Sequence, residues 1–483
     1  MKVKKAKIKT ATMWSILTEV IAKCIAPITT MILARTIDIE SFGILASITM
    51  IISLADNIIN IGFQRLIIQL DSKNELEVEE YCNICFWSNF ILSLLCWGII
   101  ILFRNDITLI LEIPNKNIEI ILAGSILPIS AFSTVYESLY MKKLEFKILF
   151  YNRLISVFIP LIVTLPIAFI TKNYWALLIG NISLAAGKSF FLTLISNWKP
   201  KLYFSLFKLK QIFKLVLENM LDALIYWSSS WFDILFINKL FGVYYSGIYK
   251  TSQSLVTSII SLLTAGVIRV LFSSLSFYKN DKEKFREIFL KFQKGTSILA
   301  IPLGIGIYMY REFIVLILLG NKWLIASDFV GIWGFIITLI STYSTFSREA
   351  YRAIQKVNIS LIIQILHLIF IISICILCRN LDFNNFIFIR SICYLQIIFL
   401  HSIFMKKLFN ISFFEMLKNT LYPIICSIIM GIVAIFLKSI IKEVNLQIFS
   451  IFICVTIYFL CLMLSKEYRK TIYLFIREKG EER

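Results

Sequence analysis

Long apolar runs alternate with short polar segments along the whole chain. Most runs hold eighteen or more largely apolar residues, enough for a helix to cross about 30 Å of hydrocarbon. They lack the strict alternation of a barrel strand, and a helix satisfies its own backbone hydrogen bonds inside a bilayer. The pattern predicts an all-α integral membrane protein with fourteen transmembrane helices, near residues 11–33, 42–63, 82–103, 118–139, 154–171, 174–196, 214–238, 248–268, 296–319, 325–345, 359–378, 384–404, 420–441 and 446–464.

The basic residues lie mainly between these runs. The chain has a formal net charge of +19, with 58% hydrophobic and only 16% charged residues. Lys and Arg are concentrated in every second polar segment, beginning with the N-terminal one, as is typical of cytoplasmic loops. This predicts that both termini are cytoplasmic. Because the segments are short, we expect no soluble catalytic or nucleotide-binding domain, and the charge suits an anionic membrane surface rather than a nucleic acid.

A degraded internal repeat indicates how the helices are grouped. Residues 31–45 match residues 235–249 at an offset of 204 positions, and the register continues without a gap. The matched pairs include Gly43 with Gly247, Gly62 with Gly266, and Arg65 with Arg269. Six spans in each copy give parallel copies related by an axis along the membrane normal. We expect two six-helix lobes with pseudo-two-fold symmetry, residues 1–205 and 206–410, then two more helices and a basic cytoplasmic tail in residues 411–483.

Five short pieces of the chain follow the order and spacing of a known family. They are Leu33-Ala34-Arg35 with Phe42-Gly43; Asp56 with Ile61-Gly62-Phe63-Gln64-Arg65; Tyr174-Trp175-Ala176-Leu177; Ser246-Gly247-Ile248-Tyr249; and Leu319-Gly320-Asn321-Lys322-Trp323. In this arrangement the chain resembles the polysaccharide flippases of the multidrug/oligosaccharidyl-lipid/polysaccharide exporter superfamily. The branch that handles teichuronic acid and colanic-acid-like repeat units is the most similar. Two loop positions depart from the family pattern: Asp38-Ile39 replaces a common Gly-Pro, and Gln355 stands where a glycine is usual.

This resemblance implies a fold like that of multidrug exporters and a transport function. An oligosaccharide carried on undecaprenyl pyrophosphate would move from the inner to the outer leaflet of the bacterial cytoplasmic membrane, by alternating access between the lobes. Membrane lipids, and the polymerase and glycosyltransferases of the same pathway, are the implied partners. Two alternatives stay open. One is a cation or drug antiporter of the same fold, and the other is a membrane-embedded polymerase or glycosyltransferase, which usually needs a large external loop or an acidic metal-binding motif.

Charged residues in or beside the apolar runs are the candidate site residues. Each costs roughly 2.5 to 3.5 kcal/mol at the centre of a membrane helix, so it should face a polar interior. Cations would contact the phosphates of the substrate, and the candidates are Lys23, Lys188, Arg390, Arg35, Arg269, Arg348 and Arg352. Carboxylates could couple transport to an ion, and the candidates are Glu19, Asp56 and Asp222.

The deeper candidates also have structural interpretations. Glu19 and Lys23 are four residues apart on one helical face and can neutralise each other. Asp56 can hold neighbouring helices together through hydrogen bonds. Lys188 and Arg390 can extend their side chains to the membrane surface.

The remaining candidates lie near span ends, where a charge is less costly. An ion pair with Lys210 or Lys214 is the simpler interpretation for Asp222. Ordinary loop or interface cations are the simpler interpretation for four arginines, Arg35, Arg269, Arg348 and Arg352.

Metal and nucleotide motifs are incomplete. Cys82-x-x-Cys85 and Cys375-x-x-Cys378 have spacings known from zinc sites, but the chain has only two histidines, so we expect inert buried thiols. Lys188 ends a fragment of a phosphate-binding loop, yet Ile182 replaces its leading glycine and no strand precedes it. We therefore predict no metal, no cofactor and no ATP binding.

Overall fold

The computed structural model describes residues 25, 27–69, 75–143, 145–441, 443, 446–466 and 468–469. In that part of the chain, every regular element is a helix. Contacts divide the chain into two compact units, Met1–Thr251 and Ser252–Arg483, here called unit 1 and unit 2. Most of the first predicted span lies outside the described residues, as do Glu19 and Lys23. The predicted division at residues 205 and 410 stays a prediction.

Unit 1 begins with helical residues at 27–36 and continues with long helices that cross it repeatedly. The helices are α1 (Ile39–Gln69), α2 (Glu75–Leu102), α3 (Arg104–Ile110), α4 (Asn117–Gly124), α5 (Ile126–Lys142), α6 (Phe146–Ile159), α7 (Leu165–Thr171), α8 (Tyr174–Ile195) and α9 (Leu206–Phe241). A π-helical turn, Pro160–Thr164, joins α6 to α7. Helix α10 (Val243–Phe277) starts in unit 1 and ends in unit 2.

Unit 2 is built in the same way. Its helices are α11 (Lys282–Met309), α12 (Arg311–Leu318), α13 (Ser327–Ile340), α14 (Phe346–Ala353), α15 (Asn358–Leu377), α16 (Phe383–Cys393), α17 (Gln396–Phe409), α18 (Phe413–Ile440) and α19 (Gln447–Met463). A short 3-10 helix, Asn321–Ala326, precedes α13, and a π-helical turn, Ser341–Thr345, follows it.

Short polar side chains set several of the helix starts. Asn173 accepts a hydrogen bond from the backbone N–H of Trp175 at the start of α8. Asp281 and Ser412 cap α11 and α18 in the same way. Such caps satisfy backbone donors that the first turn of a helix leaves without a partner. These polar residues therefore mark where the three helices begin.

The helices reproduce most of the predicted spans. Among the described residues, eleven helical segments are long and apolar enough to cross a membrane, and the bent pair Val243–Thr264 and Gly266–Phe277 brings the number to twelve. A shorter apolar helix, Gln447–Met463, lies at the position of the fourteenth predicted span. The structure thus shows a multi-pass helical membrane protein.

Two predicted loops are wrong in part. Helix α11 begins at Lys282, not near residue 296, and α14 continues the tenth predicted span as far as Ala353. The cause is an amphipathic sequence: Phe285 and Phe289 are buried one turn apart, while Lys282, Lys284 and Lys291 on the same helix are exposed. Hydropathy averaged over a window underestimates a helix of this kind.

The repeat detected in the sequence reappears as a reciprocal contact inside unit 1. A Cβ atom added to Gly43 would lie 1.9 Å from the carbonyl oxygen of Val243, and one added to Gly247 would lie 2.4 Å from the carbonyl oxygen of Ile39. Both pairs, 39 with 243 and 43 with 247, are separated by the offset of the repeat. Two copies related by a local two-fold axis give such a contact, and only glycine allows backbones to approach so closely.

Candidate functional site

A polar cavity of about 430 Å³ lies inside unit 1. Helices α1, α5 and α8 line it, and α1 and α5 place their polar side chains at helical spacing on the faces that meet there. The polar lining includes Ser53, Asp56, Asn60, Gln64, Ser130, Ser133, Thr134, Glu137, Asn181 and Lys188. Because these helices lie in membrane-spanning segments, a cavity of this composition provides a place for a polar ligand away from lipid.

Asp56 lies near the middle of α1 and is held by two neighbours. Its Oδ1 atom accepts hydrogen bonds from Ser130 Oγ at 2.8 Å and from Asn60 Nδ2 at 2.7 Å. In the described part of the chain, the Oδ2 atom accepts none. One carboxylate oxygen is therefore fixed by the protein, and the other is available to a ligand.

The support of Asp56 extends to a third helix. Asn60 Oδ1 accepts a hydrogen bond from Asn89 Nδ2 at 2.9 Å and another from the Thr134 hydroxyl. Ser93 Oγ in turn donates to Asn89 Oδ1 at 3.3 Å. This chain of hydrogen bonds joins α1, α2 and α5 and fixes the position of the carboxylate.

Glu137 and Lys188 supply the other charges of the cavity. Glu137 Oε1 accepts a hydrogen bond from Asn152 Nδ2 at 2.9 Å. Lys188 attracts the carboxylates of both Asp56 and Glu137, and Arg153 also attracts Glu137. The structure thus brings together two predicted candidates, Asp56 and Lys188, with a carboxylate that the sequence reasoning missed. The signal was present, because Glu137 lies within the predicted span 118–139.

Arg390 has a different environment in unit 2. It is 1% exposed, and its guanidinium lies 4.8 Å from the ring centre of Tyr394 and 5.3 Å from that of Trp333. The interpretation that Arg390 extends to the membrane surface is therefore wrong. These two adjacent aromatic rings stabilise the buried cation.

Asp222 forms an ion pair with Arg65, which links α9 to α1. The expected partners, Lys210 and Lys214, are wrong, because they lie on the same continuous helix α9, twelve and eight residues before Asp222, which is about 12 Å or more along the helix axis. Asp222 does not line the polar cavity.

Arg35, Arg348 and Arg352 are not among the residues that line this cavity. Arg352 forms an ion pair with Glu349 at 2.9 Å, and its guanidinium lies 5.0 Å from the ring centre of Phe272. Arg348 is half-buried on the same helix, α14, and Arg35 is exposed. The side chain of Arg269, like the whole of Glu19 and Lys23, is outside what the structure describes.

The cysteines and histidines do not form a metal centre in the described residues. No group of three or more His, Cys, Asp or Glu side chains there could hold a metal ion. Cys82, Cys85 and Cys375 are buried, and Cys378 is half-buried. His401 lies against Tyr351, which donates a hydrogen bond to the His401 carbonyl oxygen at 3.1 Å.

The sequence profile of a family described as "Polysaccharide biosynthesis protein" matches residues 32–328 of this chain. An "Uncharacterized membrane protein in cps region" of Klebsiella pneumoniae is 25% identical over 329 residues, which cover 66% of each chain. The "Lipopolysaccharide biosynthesis protein WzxC" of Escherichia coli (strain K12) is 23% identical over 316 residues, 64% of this chain and 63% of that one. The chain therefore spans slightly less than two thirds of these relatives.

A solved structure shares the fold over nearly the whole chain. The lipid II flippase MurJ, in an inward closed conformation, superposes with a TM-score of 0.77 at 16% sequence identity. The superposition covers 95% of this chain and 100% of that one.

Proposed function

Since this chain belongs to the family of polysaccharide biosynthesis proteins, we propose that it is a flippase for lipid-linked oligosaccharides. It is a transporter and not an enzyme, and it moves repeat units of a cell-surface polysaccharide from the inner to the outer leaflet. The carrier lipid is undecaprenyl pyrophosphate, as in the polysaccharide flippases that the sequence resembles. The fold shared with a lipid II flippase supports this assignment.

The polar cavity of unit 1 is the observation that carries the proposal. Sugars need hydrogen-bonding groups, and a diphosphate needs a cation, inside a structure that otherwise excludes water. Lys188 supplies the cation, while Asn60, Asn181 and the hydroxyl groups of α5 supply donors and acceptors.

Asp56 is our proposed ion-coupling residue. It combines a fixed carboxylate oxygen with a second oxygen that takes no hydrogen bond from the described residues, as a proton or a small cation requires. Asp222 is held by Arg65 and has no part in this proposal. Arg390 is assigned to packing, because it is buried against two aromatic rings.

The membrane arrangement follows from the same assignment. The protein resides in the bacterial cytoplasmic membrane with both termini in the cytoplasm, and its two lobes give alternating access to the two leaflets. Glycosyltransferases of the pathway supply the lipid-linked substrate, and a polymerase consumes it on the outer side.

Deletion of the gene in its host tests the function. We expect loss of the surface polysaccharide and accumulation of the lipid-linked oligosaccharide in the inner leaflet, measured with labelled sugars in inverted membrane vesicles. Wild-type protein should restore export, and Lys188→Ala should not. Normal polymer without inner-leaflet intermediate in the deletion strain would contradict the proposal.

A cation or drug antiporter is the second candidate. It is favoured by the carboxylates of the polar cavity, which outnumber the cations there: Asp56 and Glu137 face Lys188 alone among the described lining residues. Protection of the purified protein against thermal unfolding separates the two candidates. A flippase should be stabilised by inorganic pyrophosphate, whereas an antiporter should be stabilised by lipophilic organic cations.

A further inference from the structure

A second cavity in unit 1, of about 280 Å³, lies beside the first. It is bounded by α6, the π-helical turn, α8 and the helical residues at 27–36. Two cations, Arg153 and Lys188, line it, together with hydroxyl and amide groups of Thr29, Thr30, Ser156, Thr164 and Asn181. Lys188 lines both cavities, and so do Asn181 and Leu184.

Helix α8 packs closely against the π-helical turn beside this cavity. A Cβ atom added to Gly180 would lie 2.1 Å from Thr164 Oγ1, so α8 approaches the π-helical turn as only a glycine allows. Such turns insert an extra residue into a helix and are often found at functional sites. Here the turn places the Thr164 side chain against α8 at the edge of the cavity.

The cations of this cavity are not locked to a counter-ion. Within the described part of the chain, neither Lys188 nor Arg153 makes a hydrogen bond or a contact ion pair. Carboxylates outside contact distance balance their positive charges: Glu137 attracts both cations, and Asp56 attracts Lys188. Two cations facing one cavity repel each other, so an anion placed between them would be stabilised.

We infer that the second cavity binds a phosphate group through Arg153 and Lys188, and that the anion competes with Asp56 and Glu137 for the ammonium of Lys188. The inference rests on the proposed function, because the carrier lipid of that function bears the diphosphate group that would enter this cavity. A planar guanidinium suits the paired oxygens of a phosphate, a lysine adds a point charge, and hydroxyl groups can donate to the remaining oxygens.

Competition for Lys188 links the two cavities. When the carboxylates are ionised, they draw the ammonium towards the first cavity. When they are neutral, the ammonium is available to the anion in the second. Loading of the first cavity with a proton or cation would therefore strengthen anion binding in the second.

Calorimetric titration with inorganic pyrophosphate tests this inference on the full chain in phosphatidylcholine nanodiscs. Arg153→Ala and Lys188→Ala should each weaken binding roughly 10- to 100-fold, as expected for the loss of a hydrogen bond to a charged group. Lys147→Ala is the matched control. It removes a cation from α6 outside both cavities and should bind pyrophosphate like the wild type.

Neutral isosteres of the acids test the competition. Asp56→Asn and Glu137→Gln keep the oxygen that accepts the observed hydrogen bonds. Each should strengthen pyrophosphate binding by about threefold or more, because the attraction on Lys188 is removed. Unchanged or weaker binding in both variants would disprove the competition.

Two further measurements keep the outcome clear. Lys188→Arg and Arg153→Lys retain the charge, so recovery of most of the affinity in them shows that the alanine variants lost a binding group and not their fold. If alanine variants with wild-type melting temperatures bind pyrophosphate normally, the site is disproved even where gene deletion still abolishes export. If export survives deletion, the function fails instead.

Phosphatidylglycerol in the nanodiscs separates the two sources of phosphate. If this lipid weakens pyrophosphate binding in the wild type but not in Arg153→Ala, the site accepts a lipid headgroup. If it has no effect, the site is reserved for the diphosphate of the transported lipid. Both results retain the phosphate site.

Discussion

Cavities of similar size in the two units have opposite chemistry. The polar cavity of unit 1 measures about 430 Å³, and unit 2 contains cavities of about 480 and 450 Å³. In the first, Asp56, Glu137 and Lys188 share the wall with amide and hydroxyl groups. The two in unit 2 are lined almost entirely by apolar side chains, among them Ile305, Phe335, Ile428, Leu263, Leu303 and Ile451.

Two buried polar side chains of unit 2, Arg390 and His367, contact neighbouring side chains. Arg390 packs against the adjacent rings of Trp333 and Tyr394, and His367 Nδ1 lies 3.0 Å from Gln396 Oε1. A charge at membrane depth is therefore not sufficient to identify a transport site. Lys188 lines a polar cavity and Arg390 does not line any of these three cavities, although both stand inside apolar runs of the sequence. Of the two, we therefore propose a transport role for Lys188 alone.

The largest effect is expected where both copies of the repeat depend on each other. Gly43→Ala would force a methyl group into the Val243 carbonyl, so we expect a loss of about 3 kcal/mol in the free energy of unfolding. The loss is measured from unfolding in detergent. Gly98→Ala on α2 is the control, since an added Cβ there meets nothing within 4 Å. Equal stability of the two variants would mean that the reciprocal contact does not hold unit 1 together.

The next prediction tests whether Lys188 and Arg390 have different roles. Arg390→Met should lower the free energy of unfolding by about 2 kcal/mol through loss of the desolvated cation–π contacts, with normal export per folded molecule. Lys188→Met should leave the melting temperature unchanged and reduce export. Both variants are compared by thermal unfolding and by polysaccharide export normalised to folded protein. If Arg390→Met abolished export without loss of stability, the contrast between the two units would fail.

The membrane helices were easier to predict from the sequence than the exact helix ends, for physical reasons. Apolar runs identify membrane helices because lipid requires them, so the positions of the helices were predictable. The start of α11 was not, because the buried Phe285 and Phe289 share an amphipathic helix with exposed charged residues, among them Lys282, Lys284 and Glu287. The repeat register was also predictable, since the close contact of Gly43 and Gly247 tolerates no side chain at either position.

The candidate site was only partly predictable for a related reason. Asp56 and Lys188 were found because charges in apolar runs are costly, and the same rule applied to Arg390 without indicating its aromatic surroundings. The sequence carries no direct record of which helical face meets a cavity. Glu137 belongs to the same polar face as Ser130 and Thr134, and that spacing was the signal that could have placed it beside Asp56.

The smallest effect is expected at the edge of the polar cavity. Gln64 lines it, whereas its neighbour Arg65 forms an ion pair with Asp222 outside it. The side chains of Arg65 and Asp222 are 42% and 25% exposed. Arg65→Gln should therefore cost only about 0.2 to 1 kcal/mol in unfolding free energy and leave export unchanged. The doubly exchanged variant, Arg65→Asp with Asp222→Arg, should recover the lost stability. A strong loss of export in Arg65→Gln at unchanged stability would contradict this prediction. It would mean that the ion pair of Arg65 with Asp222 takes part in transport.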